Sequence, residues 1–172
     1  DNFGKACYGI PLSVVWMLYI SVVFALYYTM NPSELLEKFY TSFQKKDYLA
    51  MQECYHAEAI FSDPVFQNLN AIQTKAMWHM LCERGKDLEL MFSVLNDSQV
   101  FWEAHYSFSQ TGRKVENKIT GNFEFKDGLI IKHTDQFDLW KWAGMALGLS
   151  GKLLGWSPFM KGKIRKMAMK GL

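Results

Sequence analysis

Three polar side chains stand where the pattern calls for apolar ones. Between residues 115 and 125, Val115, Asn117, Ile119, Gly121, Phe123 and Phe125 alternate with Glu116, Lys118, Thr120, Asn122 and Glu124. Between 131 and 137, Ile131, His133, Asp135 and Phe137 alternate with Lys132, Thr134 and Gln136. Asn117, His133 and Asp135 thus sit on the faces that carry the rings and branched side chains. A polar group turned into an apolar interior must find a partner or a ligand. Either His133 and Asp135 bond to each other or to a loop and tie down the sheet, with Asn117 on neighbouring backbone, or the three face a bound molecule. In the second case an imidazole and a carboxylate can move protons, and an amide can orient what they act on. Asp63, before Pro64 at the end of a short apolar run, is either a turn residue or a second acid. The set expected to carry protons is Asp135, Asp63 and His133. The expected ligand-binding set is Asn117, Trp102, Tyr106, Phe123 and Phe137, a wall of rings with one amide in it.

These residues need an antiparallel sheet behind a group of helices. Asn31-Pro32-Ser33-Glu34 opens the first helix: Asn31 caps, Pro32 fits the first turn, and Glu34 closes a capping box. Leu35, Leu36, Phe39 and Phe43 recur at helical spacing, with a break near Asp47. A short strand over Ile60–Asp63, a loop to Asn70 and a helix from Ala71 to Arg84, stopped by Gly85, follow. From Leu88 the period is two. Val100, Trp102, Ala104, Tyr106 and Phe108 form one face, and Thr111-Gly112 and Asp127-Gly128 make hairpin turns. Helices first and a strand meander after is an α+β order.

The segments LLEKFYTSFQKKDYLAMQECYHAEAIFSDPVF and TGRKVENKITGNFEFKDGLIIKHTDQFDLW resemble the nuclear transport factor 2-like superfamily, nearest its ketosteroid-isomerase-like and SnoaL-like branches. The resemblance covers about residues 31–140. It implies a cone of N-terminal helices packed in a strongly curved antiparallel sheet, with a pocket at the open end, and it adds a homodimer to the expectations. In ketosteroid isomerases the aspartate before a proline is the proton-shuttling base, and Asp63-Pro64 falls on it. Their tyrosine falls on Phe39, one residue from Tyr40, and their protonated aspartic acid falls on Gly121. Asp135-Gln136-Phe137-Asp138-Leu139 looks like the closing pattern of limonene-epoxide hydrolases, whose arginine and second aspartate fall on Trp102 and Ala104. Both patterns are therefore incomplete. In SnoaL-like cyclases an aspartate resembling Asp135 serves alone as acid–base catalyst, which implies an isomerase, cyclase or hydratase type of activity on a carbonyl-bearing molecule. The alternative is a non-catalytic binding or interaction module held at a membrane.

Composition narrows the rest. The 172 residues are 49% hydrophobic and 16% aromatic, which excludes a disordered chain, and three cysteines exclude a disulfide scaffold. The four histidines share no metal-ligand spacing, and no phosphate loop or nucleophile elbow is present, so neither metal nor cofactor is expected. A net charge of +2 gives no reason to expect nucleic acid. That net charge hides three zones: an apolar head (1–29), a domain (30–140) and a basic, aromatic tail (141–172). Pro11 to Thr29 contains no charge, a length suited to a bilayer-crossing helix outside the cone. It is a membrane anchor, a leader or upstream sequence; an anchor would make the domain cytoplasmic because the tail is basic. Without it the protein is expected to be cytoplasmic. Residues 147–170 join apolar and aromatic groups to lysines. They are expected either to lie on an anionic membrane or to pack on the cone or a second copy.

Overall fold

The computed structural model describes Pro11, residues 14–17, Tyr19 and residues 30–172. The chain divides into two compact units, Asp1–Met30 and Asn31–Leu172. In the first, residues 14–17 are helical and the rings of Trp16 and Tyr19 meet edge to face. Most of the uncharged run from Pro11 to Thr29, and with it the expected spanning helix, lies outside the described residues. Among the described residues no helix is long and apolar enough to cross a membrane.

In the second unit, α1 (Pro32–Gln44) starts on the expected capping box, with Asn31 accepting from the Ser33 amide and Glu34 reaching back to Asn31. Lys46 turns the chain in the left-handed region at φ 58°, and Asp47 caps α2 (Tyr48–Glu53), which is the expected break. After β1 (Tyr55–Ser62), Asn70 and Gln73 form a second capping box at the start of α3 (Ala71–Arg84). Met77, Trp78 and Cys82 of α3 face inward, while Ile72 lies on the outer side. Then come β2 (Glu89–Asn96), β3 (Gln99–Phe108), β4 (Arg113–Lys126) and β5 (Leu129–Gln136). Asp127 and Gly128 both take positive φ, the geometry that matches the twist of a two-residue hairpin.

The sheet order is β1-β5-β4-β3-β2. β2 to β5 form the expected antiparallel meander, but β1 pairs with β5 in parallel. Bulges between Tyr55 and Ile60 and between Glu124 and Phe125 break the regular ladder, and such irregularities bend strands. The curved sheet wraps the buried face of α1 (Leu35, Leu36, Phe39, Tyr40, Phe43) into an α+β cone.

The tail is helical. Asp138 caps α4 (Leu139–Leu147), α5 spans Leu149–Leu154, and Ser157 caps α6 (Pro158–Met169). Trp142, Ala143 and Ala146 of α4 form a second core with Val115 of β4 and with Met160 and Ile164 of α6. A Cβ at Gly151 would overlap the Ala143 carbonyl, so only glycine lets α5 lie this close to α4. Two arginines fasten α6 to the cone. Arg165 Nε donates to the Pro64 carbonyl at 3.1 Å, and Arg84 Nη2 to the Gly171 carbonyl at 3.3 Å.

Candidate active site

Strand parity carries the polar residues inward. In the β4–β5 ladder Gly121 stands opposite Asp135 and Phe123 opposite His133, and in the β3–β4 ladder Ala104 stands opposite Asn117. The parallel β1–β5 pair brings the second acid. Phe61 is level with His133 and Ser62 with Thr134, so the next residue, Asp63, emerges beside Asp135 at the same end of the sheet.

Both carboxylates line one cavity of about 230 Å³, together with Asn117, Trp102, Tyr106 and Phe137. Trp78 and Arg84 of α3 and Ile164 and Met167 of α6 close other sides. An engineered apolar cavity of roughly 150 Å³ already holds benzene, so this one has room for a small ring system. Asn117 is half-buried, and its amide makes no hydrogen bond among the described residues.

Two of the expected residues do not reach the cavity wall. His133, fully buried, stands behind Asp135 among the rings of Phe39, Phe61, Trp78 and Phe123. Phe123, also buried, packs on His133 and Tyr40. Both occupy inward positions, but other aromatic side chains pack around them and line the cavity in their stead. His133 therefore has contact with Asp135 in place of a ligand.

That contact is the end of a buried chain of hydrogen bonds. Trp78 Nε1 donates to the Tyr55 hydroxyl at 2.9 Å, Tyr55 meets His133 Nδ1 at 2.6 Å, and His133 Nε2 meets Asp135 Oδ1 at 3.0 Å. Indole nitrogen can only donate, so the Tyr55 hydroxyl accepts from Trp78 and keeps its own proton free to donate to Nδ1. In the tautomer that carries its proton on Nε2, the imidazole donates to Asp135. Trp102 Nε1 donates to the same oxygen at 3.3 Å. Asp135 thus has both of these contacts at Oδ1 and makes no hydrogen bond through Oδ2 among the described residues.

Asp63 is held differently. Its Oδ1 accepts from the amides of Val65 and Phe66, closing the turn after β1. The residue keeps some exposure, yet protein crowds its carboxyl, and this desolvation pushes its pKa up to about 7. The two amide bonds and the nearby Arg165 pull downward, and the charge of Asp135 adds to the rise. The cavity is therefore lined by two carboxyls in contrasting surroundings.

Several contributing residues carried no signal in the sequence. Tyr55 of β1 and Trp78 of α3 stand in no motif or polar–apolar anomaly of the sequence. Trp142, whose Nε1 donates to the Tyr106 hydroxyl at 2.8 Å, lies in the tail. Tyr40 is fully buried, and its hydroxyl has no hydrogen-bond partner among the described residues. A Cβ at Gly121 would lie 2.9 Å from that hydroxyl and 3.0 Å from Asp135 Oδ1, so glycine opens the space the two oxygens share. Phe39, the position that the isomerase resemblance aligned with a tyrosine, packs instead on Tyr55, Trp78 and His133.

On the outer face of the sheet, Glu103, His105 and Glu116 bring one ligand-type atom each within 4.8 Å of one another. Lys118 Nζ lies 3.4 Å from Glu103 and 3.5 Å from Glu116, so a lysine already offsets their charge.

Helices packed in a curved five-stranded sheet make up the nuclear transport factor 2-like cone fold. Within that class the chain belongs to the SnoaL-like domain family, whose profile matches residues 36–133. Among solved structures it is similar to IdmH of Streptomyces antibioticus, a proposed polyketide cyclase. That match has a TM-score of 0.56 and 18% identity, over 70% of this chain and 100% of the other. It is also similar to a proposed isomerase of Bacillus subtilis, with a TM-score of 0.54 and 16% identity over 67% and 91%. A third is a limonene-epoxide-hydrolase-like epoxide hydrolase of M. tuberculosis, with a TM-score of 0.51 and 16% identity over 72% and 96%. At these identities the likeness is one of fold. No curated protein sequence matches the chain.

Proposed function

We propose that this domain binds a small hydrophobic, carbonyl-bearing molecule and moves protons on it, as an isomerase, cyclase or hydratase does. The observation that carries this reading is the convergence of Asp63 and Asp135 on one ring-lined cavity, the first held by backbone amides and the second by His133 and Trp102. Pairs of carboxyls in contrasting environments are the usual source of an acid and a base in one site. Asp135, already accepting two hydrogen bonds through Oδ1, is the base and takes the proton through Oδ2. Asp63, with its pKa at about 7, delivers or retrieves a proton near neutral pH. Asn117 donates its amide to the carbonyl oxygen where charge develops, and Trp102, Tyr106 and Phe137 hold the apolar body. His133 acts through Asp135: it fixes the carboxylate's orientation and does not touch the ligand. The polyketide cyclase and isomerase descriptions of the fold neighbours fit this chemistry.

Deuterium exchange next to the carbonyl, followed by NMR across a panel of small cyclic ketones and enones, tests this even while the substrate is unidentified. A ligand that exchanges with the wild type should lose about 10²–10⁴-fold in rate with Asp135→Asn, while its Kd changes little. Ligands that bind and never exchange would make the domain a binding module.

A further inference from the structure

The C-terminal helices have an inner and an outer side with opposite characters. Ile164 and Met167 of α6 face the cavity. On the outside, Leu149, Leu153 and Trp156 follow at four- and three-residue spacing and are 78%, 69% and 60% exposed. Phe159, at 75%, extends this surface into the first turn of α6. Trp140 joins it from α4: its Nε1 donates to the Lys152 carbonyl at 2.9 Å, and its ring lies where a Cβ on Gly155 would be. Nothing among the described residues covers this surface, and a run of large exposed apolar groups marks a contact site. Around it stand Lys141, Lys152, Lys163, Lys166 and Lys170, all exposed. Residues 139–172 carry seven basic side chains and no acidic one.

We propose that this surface docks on an anionic lipid bilayer. The indoles of Trp140 and Trp156, with Leu149, Leu153 and Phe159, enter the boundary between headgroups and acyl chains, and the lysines meet lipid phosphates and carboxylates. Charge decides the occupant. A second copy placed symmetrically on this patch would bring two wholly basic segments together, whereas an anionic surface neutralises one. The inference is independent of the cavity's chemistry, so either reading can fail alone.

The test uses the full chain and phosphatidylcholine vesicles with and without phosphatidylserine. Any insertion by the apolar head adds binding to both kinds, so the quantity read is the phosphatidylserine-dependent increment. That increment is expected to reach at least about tenfold at low salt and to fall as salt rises. Combined Lys152→Glu, Lys163→Glu and Lys166→Glu should remove it, and Trp156→Ser with Phe159→Ser should lower it. These side chains are exposed, so circular dichroism and Tm should stay near wild type. Hydrogen exchange should show vesicle-induced protection within residues 148–163. Equal binding to both vesicles, an increment that survives charge reversal, or protection confined to other segments would each overturn the proposal. So would concentration-dependent dimerisation that the Trp156→Ser and Phe159→Ser pair abolishes, which would assign the patch to a second copy.

Discussion

The surroundings of Asp63 favour its protonated carboxyl, and stability should report this. The unfolded chain releases that proton near the ordinary value of 3.8, whereas the folded protein keeps it until about pH 7. Between these values the folded state binds more protons than the unfolded one, so this group's contribution is complete below about pH 4. It declines as pH rises through 7. Asp63→Asn removes the titration while keeping an oxygen for the Val65 and Phe66 amides. The difference in unfolding free energy between variant and wild type should therefore shift in the variant's favour from pH 4 to 7 and then level off. Urea denaturation at stepped pH measures it; a difference that stays flat would place the carboxyl in contact with water. The same physical logic separates Asp135 from Tyr40. Asp135 is buried with donors from His133 and Trp102, while the Tyr40 hydroxyl is buried with none among the described residues, an arrangement that costs free energy.

At the scale of elements, the hydrogen-bond chain from Trp78 through Tyr55 and His133 to Asp135 links α3, β1 and β5. β1 contributes Tyr55 and β5 contributes His133 and Asp135, so register matters as much as residue type. Tyr55→Phe keeps the ring and removes the middle link, leaving the Trp78 indole and His133 Nδ1 without partners in a dry interior. A loss of about 1–3 kcal/mol is expected, read from the shift of the denaturation midpoint. A loss near zero would mean that water replaces the hydroxyl. The sheet itself was largely legible. Alternation over residues 100–137 identified three strands and which side of each faced inward, because a period of two allows only two faces. The helix starts after Asn31 and Asn70 both matched expectation, although only the first capping box was read from sequence. The exclusion of His133 and Phe123 from the cavity was not legible, since parity separates inside from outside but does not measure depth within the cone.

Considered whole, the molecule joins its tail to its cavity. Arg165 of α6 donates to the Pro64 carbonyl, and its charge lowers the pKa of Asp63. Arg165→Met should leave the cone folded, loosen α6 and raise the Asp63 pKa above its present value. In a pH–rate profile, or in the stability profile described above, the limb near 7 should move to higher pH. An unmoved limb would show that α6 and Asp63 are electrostatically separate. The tail also illustrates what patterning misses. Its composition marked it as apolar and basic, but residues 139–172 give helices whose Trp142, Met160 and Ile164 are core while Trp156 and Phe159 are surface. Those residues are chemically alike, and only the packing partner, Val115 of β4 in one case, tells them apart.

Local rules written in the chain determined the helix-then-meander order, the inward turn of Asn117, His133 and Asp135, and the hairpin at Asp127-Gly128. Each follows from side-chain periodicity or from backbone conformation within a few residues. The meeting of Asp63 with Asp135 came only with the tertiary structure. Seventy-odd residues separate them, and β1 could have paired on either edge and in either direction. Its parallel alignment with β5, set by burial of Phe61 and His133 in one aromatic core, is what puts two acids at the same end of the sheet. Pairing between distant strands is a property of the packed molecule, and no period in the sequence encodes it.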